Sequence, residues 1–512
     1  MTGPRPYYVT TPIYYVNDSP HIGHAYTTLA CDVLARFKRL DGFDVKFLTG
    51  TDEHGQKVEK SANAAGVAPQ EFTDRVSRNF RDLAQRMNYS NDDFIRTTEP
   101  RHKAACQALW QRLAERGAIY LGAYEGWYSV RDEAFWGEDE LATGPDGQKL
   151  APTGAPVEWV QEPSYFFRLS EWGEKLLAFY DANPDFIAPA SRRNEVMSFV
   201  KGGLQDLSIS RTSFKWGVAV PNDPAHIMYV WLDALTNYIT ALGFPDLGGD
   251  FAKYWPADLH MVGKDILRFH AVYWPAFLMA ADLPPPKRVF AHGWWTNEGQ
   301  KISKSLGNVI DPNGLVERYG LDQTRYFLLR EVPFGNDGDF SHRSVVNRIN
   351  SELANGLGNL AQRSLSQISK NCDGRLPEPG SFSADDRALL DMAAGTLPAF
   401  RDALDRQQFH EALEAAMVVV RAANGYIDVQ APWALKKTDP ARMGTVLYVL
   451  AETVRRVALL LQPVMPESIA RLLDQLAVAP EHRDFAHFDR ALIGGAPLPA
   501  PQGVFPRFVE AE

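Results

Sequence analysis

Cysteine is scarce: Cys31, Cys106 and Cys372 are the only three in 512 residues. They are too widely spaced for a Cys-x-x-Cys pair and too few for a disulfide framework or an all-thiolate zinc site, so a reducing compartment is expected. Long hydrophobic runs are also missing. The longest, Ala271 to Ala281, is about half of the ~20 residues that a membrane helix needs, which excludes a membrane partner of that kind. The opening Met1-Thr2-Gly3-Pro4-Arg5 runs into strand-like residues without the apolar core of an export signal, so a cytoplasmic location is expected. Positive charge is in deficit, with 53 Lys+Arg against 63 Asp+Glu and a net charge of -10. That excludes indiscriminate coating of nucleic acid but leaves room for a local basic groove. Neither an internal repeat nor a low-complexity tract is present, and a hydrophobic content of 45% with 23% charged residues excludes disorder and collagen-like structure. The length suits about three domains.

A β-rich run from Tyr7 leads through Asn17-Asp18-Ser19-Pro20 into a helical pattern, with Leu29, Val33, Phe37 and Leu40 at helical spacing. Ser19 suits the N-cap and Pro20 the first helical position, and Asp41-Gly42 closes the helix. A second strand from Val45 to Thr49 ends in Gly50-Thr51-Asp52, completing a β-α-β unit whose ligand site is expected at the carboxyl ends of its strands. Helical patterns fill about Pro69 to Arg116, and a loop-rich insertion with little periodicity follows from Gly122 to Pro163. Alternating α/β character returns at Ile227–Trp231, Leu259–Asp265 and Arg288–Gly293, so the expected fold is α/β, a nucleotide-binding parallel sheet split by an insertion. Past Asn347 the patterns are helical, with Leu404 to Tyr426 and Val446 to Leu461 read as two helices of a closing bundle, and Gly494 to Pro506 is expected to wrap its surface.

Two clusters carry chemistry. His21 and His24 lie three residues apart at a helix start, where free N–H groups favour an anion and two imidazoles suit phosphate oxygens gaining charge. Gly23 between them leaves space for a flat base. Taken alone, such a pair is most often a capping or core pair. Lys301-Ile302-Ser303-Lys304-Ser305, in a segment bracketed by Gly293 and Gly307, reads as a mobile cationic loop able to follow charge onto a leaving pyrophosphate. Taken alone, it is most often a solvated loop.

Together, in this order, the two clusters resemble the HIGH and KMSKS signatures of class I aminoacyl-tRNA synthetases. Thr11–Tyr15, Gly50–Gly55, Ile209–Arg211, Tyr229–Ala234, Gly263–Ile266, Phe269-His270 and Ala431–Trp433 add a closer similarity to the methionyl-tRNA synthetases over nearly the whole chain. The resemblance implies a split Rossmann-like, doubly wound sheet with a connective insertion and an all-α anticodon-binding bundle. It implies catalytic-fold halves at 1–118 and 226–292, the insertion at 119–225, a lysine-loop and stem-contact region at 293–346, and the anticodon-binding domain with its tail at 347–512. It also implies methionine activation by ATP with Mg²⁺ and transfer to tRNA(Met), initiator and elongator. His21, His24, Lys301 and Lys304 would be catalytic, and with Gly23, Gly263, Asp265, His292, Gly293 and Ser303 they would bind ATP.

By the same resemblance, Asp52 meets the methionine ammonium and Arg211 lies near its carboxylate. Ile13, Tyr15, Trp231, Leu235, Tyr238, Ile266 and His270 line the side-chain pocket, with Leu235 standing where some relatives have proline. Tyr15 or His270 could donate a weak hydrogen bond to the thioether. Asn359 and Arg363, on a polar stripe with Asn355, would read anticodon bases, and Trp433 would stack on one. Acidic residues outnumber basic ones from Arg348 onward, so any tRNA groove is a local patch. Where relatives carry thiolate knuckles, this chain reads Tyr128-Ser129-Val130-Arg131-Asp132-Glu133, so no structural zinc is expected. The insertion is also shorter than the hydrolytic editing domains of sibling enzymes. An added dimerisation domain found in some relatives is missing, which favours a monomer. The competing readings are a sibling class I synthetase, disfavoured by the Asp52 and Trp231 segments, and a small-molecule adenylyltransferase of the same superfamily, which needs no such bundle. A catalytically inactive tRNA-binding protein would have eroded signatures.

Overall fold

The computed structural model describes residues 3–16, 19–303 and 306–510; Lys304 and Ser305 of the expected lysine loop lie outside the described residues. The chain divides into two compact units, one holding Pro6–Pro20 and Lys46–Ala291, the other holding His21–Val45 and His292 onward.

The first unit is built on the expected parallel sheet. Its strand order is Ile187–Ala188, Val289–His292, Leu259–Gly263, Pro6–Thr10, Asp44–Asp52 and Tyr14–Tyr15, with Asp93–Arg96 also paired to Asp44–Asp52. The registers Val9↔Leu259, Leu48↔Asp93 and Tyr15↔Asp52 are all parallel. Leu259–Val262 and Val289–His292 are buried throughout, as continuous apolar strands covered on both faces should be. The strand ending at Asp52 runs three residues past the expected Thr49, because Tyr14–Tyr15 pairs with its last two residues. A strand, Asp93–Arg96, interrupts the stretch read as helical between helices Pro69–Arg86 and Pro100–Glu115. Four residues carry too little periodicity to stand out between two helices.

The insertion departs most from expectation. The stretch read as loop-rich contains strand Ile119–Ser129, antiparallel to Glu158–Phe167 from Ile119↔Phe167 to Tyr128↔Glu158. Gly122, Gly126 and Pro163 lower the strand propensity that Tyr120, Tyr124 and Phe166 restore by cross-strand contact, with Tyr120 and Phe166 stacked at 5.4 Å. The apolar run at Ala271–Ala281 is largely buried core, as expected.

In the second unit the helix after the first strand spans Ile22–Leu40 with His21, not Ser19, as N-cap. His21 Nδ1 accepts the Gly23 N–H and His24 Nδ1 accepts the His21 N–H, both at 3.0 Å, so the histidine pair replaces the expected Ser-Pro start. Asp41 and left-handed Gly42 close the helix as expected. The helical end comprises Ala384–Asp405, Phe409–Gln430 and Pro440–Leu461 among others. The stretch from Leu404 to Tyr426 is thus not one helix, since Gln407, at φ +56, breaks the chain between two. Ahead of Asn359 the segment Ile349–Gly358 is π-helical, so Asn355 and Asn359 do not share the α-helical spacing assumed for the stripe.

A buried ion pair ties the first helix of this unit to its later helices. Arg325 Nη2 donates to Asp32 Oδ2 at 2.6 Å and to the Pro463 carbonyl at 2.9 Å, and its Nε donates to the Val464 carbonyl at 2.8 Å. Replacement Arg325→Met strips two carbonyls of a donor and takes the buried guanidinium from Asp32, a loss of about 3–5 kcal/mol for a broken buried pair. The calorimetric transition that includes helix Ile22–Leu40 should move to lower temperature. An unchanged transition would show that this contact does not hold the helix.

Candidate active site

The capping arrangement decides the protonation of the two histidines. Each Nδ1 accepts a backbone N–H and therefore carries no proton, so a neutral ring carries its proton on Nε2 and is a donor there. Burial, and then the neighbouring His21, push His24 well below the ordinary imidazole range. The rings lie 3.9 Å apart. Gly23 also has a reason within the protein: a Cβ there would come within 2.9 Å of His21 Cε1, displacing the ring that caps the helix. His292, in the same unit, has Nε2 2.7 Å from Thr27 Oγ1 and gives its Nδ1–H to the Gly293 carbonyl at 2.8 Å. A Cβ at Gly293 would lie 2.4 Å from the Asn336 carbonyl, so only glycine permits that backbone approach.

Lys301 is exposed at the end of hairpin strand Gln300–Lys301. The loop that follows is organised by a residue the sequence reading passed over. Asn308 Oδ1 accepts the Ser303 N–H at 2.8 Å, and its Nδ2 donates to the Lys301 carbonyl at 3.1 Å. Asn297 in turn donates to the Asn308 carbonyl at 2.9 Å.

In the other unit Tyr15 and Asp52 are direct register partners at the carboxyl ends of neighbouring strands. Asp52 is buried, and its Oδ1 has no hydrogen-bond partner among the described residues. Burial, then the charges of Asp233 and Glu133, raise its carboxyl well above the usual range, against the His54 backbone N–H. Ile13, Tyr15, Trp231 and Ile266 are half-buried against one hydrophobic core, in which Leu235 and Tyr238 are buried. Trp231 stacks on Phe269 at 3.8 Å and meets His270 edge-on at 6.1 Å. His270 gives Nδ1–H to the Ile266 carbonyl at 2.9 Å and its Nε2 lies 2.7 Å from the Tyr238 hydroxyl, which donates. Gly263 ends its strand and Asp265 is exposed on the turn Lys264–Ile266.

A family model described as tRNA synthetases class I (M) matches residues 7–365. The chain belongs to this family. A second model, the anticodon binding domain of methionyl tRNA ligase, matches residues 376–512 of the synthetase. A methionine–tRNA ligase of Brucella suis is 61% identical over 507 residues, covering 99% of this chain and 98% of the relative. That of Rhizobium meliloti is 59% identical over 515 residues, covering both fully. The solved Mycobacterium tuberculosis methionyl-tRNA synthetase in complex with methionyl-adenylate is 57% identical, with a TM-score of 0.97, covering 98% of this chain and 100% of that one.

Several side chains expected at this synthetase's methionine site are also bonded within the protein. Neither expected thioether donor is unused: Tyr15 donates to Glu133, and the one N–H of neutral His270 goes to Ile266. Arg211, expected beside a substrate carboxylate, is buried, donates Nη1 to Glu162 Oε1 at 2.7 Å, and lies 4.0 Å over the Tyr128 ring. In the bundle the structure brings two expected residues together, with the Arg363 guanidinium 5.4 Å over the half-exposed Trp433 ring and bonded to Asp428 at 2.6 Å. Asn359 is exposed at the first position of its helix.

Sequence reasoning also missed a buried triad. Asp233 accepts from His54 Nδ1 at 2.6 Å and from His102 Nε2 at 2.7 Å. Burial pushes its carboxyl up, but the two histidines hold it well below the usual range. This clamps the loop after Asp52 to the helix bearing Trp231. His54 and Asp233 both sit inside the family segments, but nothing in their spacing linked them to His102.

The buried histidines set a pH dependence. Burial pushes His270 down to about 4, while the unfolded chain takes up that proton from about pH 6.5. Its contribution to stability is therefore complete above pH 6.5 and is lost as pH falls toward 4. The His270 imidazole resonances should stay fixed between pH 8 and 5. A midpoint near 6.5 would contradict its neutral, doubly bonded state.

Proposed function

We propose that this chain is a methionine–tRNA ligase that joins L-methionine to the 3′ end of tRNA(Met), both initiator and elongator, through methionyl-adenylate. The observation that carries the reading is Asp52, a buried carboxylate with an unsatisfied oxygen, in register with Tyr15 and within electrostatic reach of Asp233 on the Trp231 helix. A carboxylate suits an α-ammonium, and the aromatic edges of Trp231, Tyr238 and His270 suit a polarizable thioether. The relative solved with methionyl-adenylate supports the same intermediate.

In the first step a methionine carboxylate oxygen attacks the α-phosphorus of ATP, and the bond to the β-phosphate breaks to release pyrophosphate. The Nε2–H groups of His21 and His24, with Lys301 and Lys304, stabilise charge that grows on the phosphates. Gly23, His292 and Gly293 meet the adenine side, Gly263 and Asp265 the ribose, and Ser303 the phosphates. Ile13, Leu235 and Ile266 complete the methionine site, and Arg211 acts near the carboxylate. In the second step a ribose hydroxyl of the terminal adenosine attacks the acyl carbon and AMP leaves. Residues 1–118 and 226–292 form the catalytic fold, 119–225 the insertion, 293–346 the lysine-loop and stem-contact region, and 347–512 the anticodon-binding part, where Asn359, Arg363 and Trp433 read bases.

Among the described residues, the side chains close enough to share a metal are His102, Cys106 and Asp233, which are buried and bonded to one another. A sulfur and an imidazole do not suit Mg²⁺, so Mg²⁺ enters with the ATP phosphates. A structural zinc is not part of this reading. No helix among the described residues is long and apolar enough to cross a membrane. The reading includes a cytoplasmic, monomeric enzyme.

Pyrophosphate exchange measured with each of the twenty amino acids tests the proposal. Methionine should drive it best, and equal exchange with leucine or isoleucine would end the assignment. Lys304→Ala should lower kcat far more than it raises the KM for methionine. Trp433→Ala removes stacking worth about 1–3 kcal/mol, so tRNA charging should fall while tRNA-independent exchange holds. Normal charging by Trp433→Ala and by Arg363→Ala would move base reading elsewhere.

A further inference from the structure

Glu133 follows strand Ile119–Ser129 of the insertion, yet its carboxylate is buried against residues at the end of the parallel sheet. Three unfavourable features converge on that placement. The backbone at Glu133 is left-handed, at φ +49, which is uncommon outside glycine, asparagine and aspartate. A carboxylate is taken out of water. At Gly55, itself at φ +111, a Cβ would lie 2.6 Å from both Glu133 oxygens, so the approach tolerates only glycine. All three bring the carboxylate to the Tyr15 hydroxyl, which donates to Glu133 Oε1, while the Lys57 backbone N–H donates to the same oxygen at 3.3 Å. The Lys57 ammonium lies 5.5 Å over the Tyr15 ring, so the ring is held at its face as well as at its hydroxyl.

We propose that Glu133 is a positioning residue for amino-acid binding, acting from the insertion by fixing Tyr15 beside Asp52. This rests on the ligase reading above. Glu133 touches Tyr15 rather than the substrate, and its effect falls on methionine affinity, not on phosphoryl chemistry.

The charges around Glu133 give the proposal a signature. Asp52 faces it with negative charge, Lys57 and Arg211 with positive charge, and Arg131 and Asp132 precede it in its own turn. Tyr128 and Tyr229 lie within its electrostatic reach. Burial raises its carboxyl to about 7, against the Tyr15 hydrogen bond, Lys57 and Arg211. Above that pH the ionised oxygen accepts the Tyr15 O–H strongly; below it the bond loses its charge assistance. The methionine ammonium favours the ionised form, so the KM for methionine should fall as pH rises through about 7.

The experiment is methionine-dependent pyrophosphate exchange from pH 6 to 8 for wild type, Glu133→Gln, Tyr15→Phe and the double variant. The glutamine matches the shape of Glu133 but cannot ionise. Its KM for methionine at pH 8 should rise about ten-fold, with kcat and the KM for ATP changed by less than about two-fold. The fall in KM through neutral pH should flatten. Tyr15→Phe, which leaves Glu133 in place, should raise the same KM, and the double variant should be no worse than the weaker single one. Wild-type KM and pH dependence in Glu133→Gln would overturn the proposal, as would additive losses in the double variant. If Glu133→Gln does not fold, Tyr15→Phe decides: an unchanged KM overturns the proposal and a raised, pH-flattened KM supports it. Wild-type protein without methionine-dependent exchange would instead bring down the ligase reading.

Discussion

Burial of the Asp52 carboxylate with an unsatisfied oxygen is the constraint around which the polar interior of its unit is arranged. Such a group costs several kcal/mol unless a cation or donor meets it. Inside its own unit the chain offers the His54 backbone N–H but surrounds Asp52 with further acids, Asp233 and Glu133. Asp233 is satisfied by two histidines and Glu133 by Tyr15, so Asp52 is the acid left wanting a positive partner. In the proposed reading an α-ammonium would be that partner, and the aromatic residues packed on the same core would receive the side chain attached to it.

In the other unit the order of cause is similar. Asp32 and Arg325 hold the first helix, and the helix start is then capped by the imidazoles of His21 and His24. Because capping occupies each Nδ1, the rings are donors at Nε2 without being charged. A neutral donor meets phosphate oxygens with a smaller desolvation cost than a buried cation and gains strength as their charge grows. In the proposed reading the histidine pair is a cap that also binds phosphate, and the two readings of the motif describe two nitrogens of the same ring.

Much of this was legible in the sequence where chemistry is local. The apolar strands, the helix ending at Asp41-Gly42 and the HIGH-like and lysine-loop segments each depend on near neighbours. The antiparallel ribbon from Ile119 to Phe167 was hidden because Gly122, Gly126 and Pro163 mask its propensity and its stability comes from cross-strand rings. The Asp233 triad joins residues 179 and 131 positions apart, which no spacing argument reaches. Glu133 read as a residue of an empty zinc knuckle, because its role depends on a left-handed backbone and on the space that Gly55 leaves.

The decisive measurement is a calorimetric titration of methionine into wild-type protein and Asp52→Asn. Asparagine keeps the shape of the site but removes the charge that the ammonium requires. The arrangement predicts binding to wild type and a loss of about a hundred-fold or more in the variant, the scale of a charged hydrogen bond lost from a buried site. Equal affinity for the two proteins would contradict it, and would mean that the ammonium is held elsewhere.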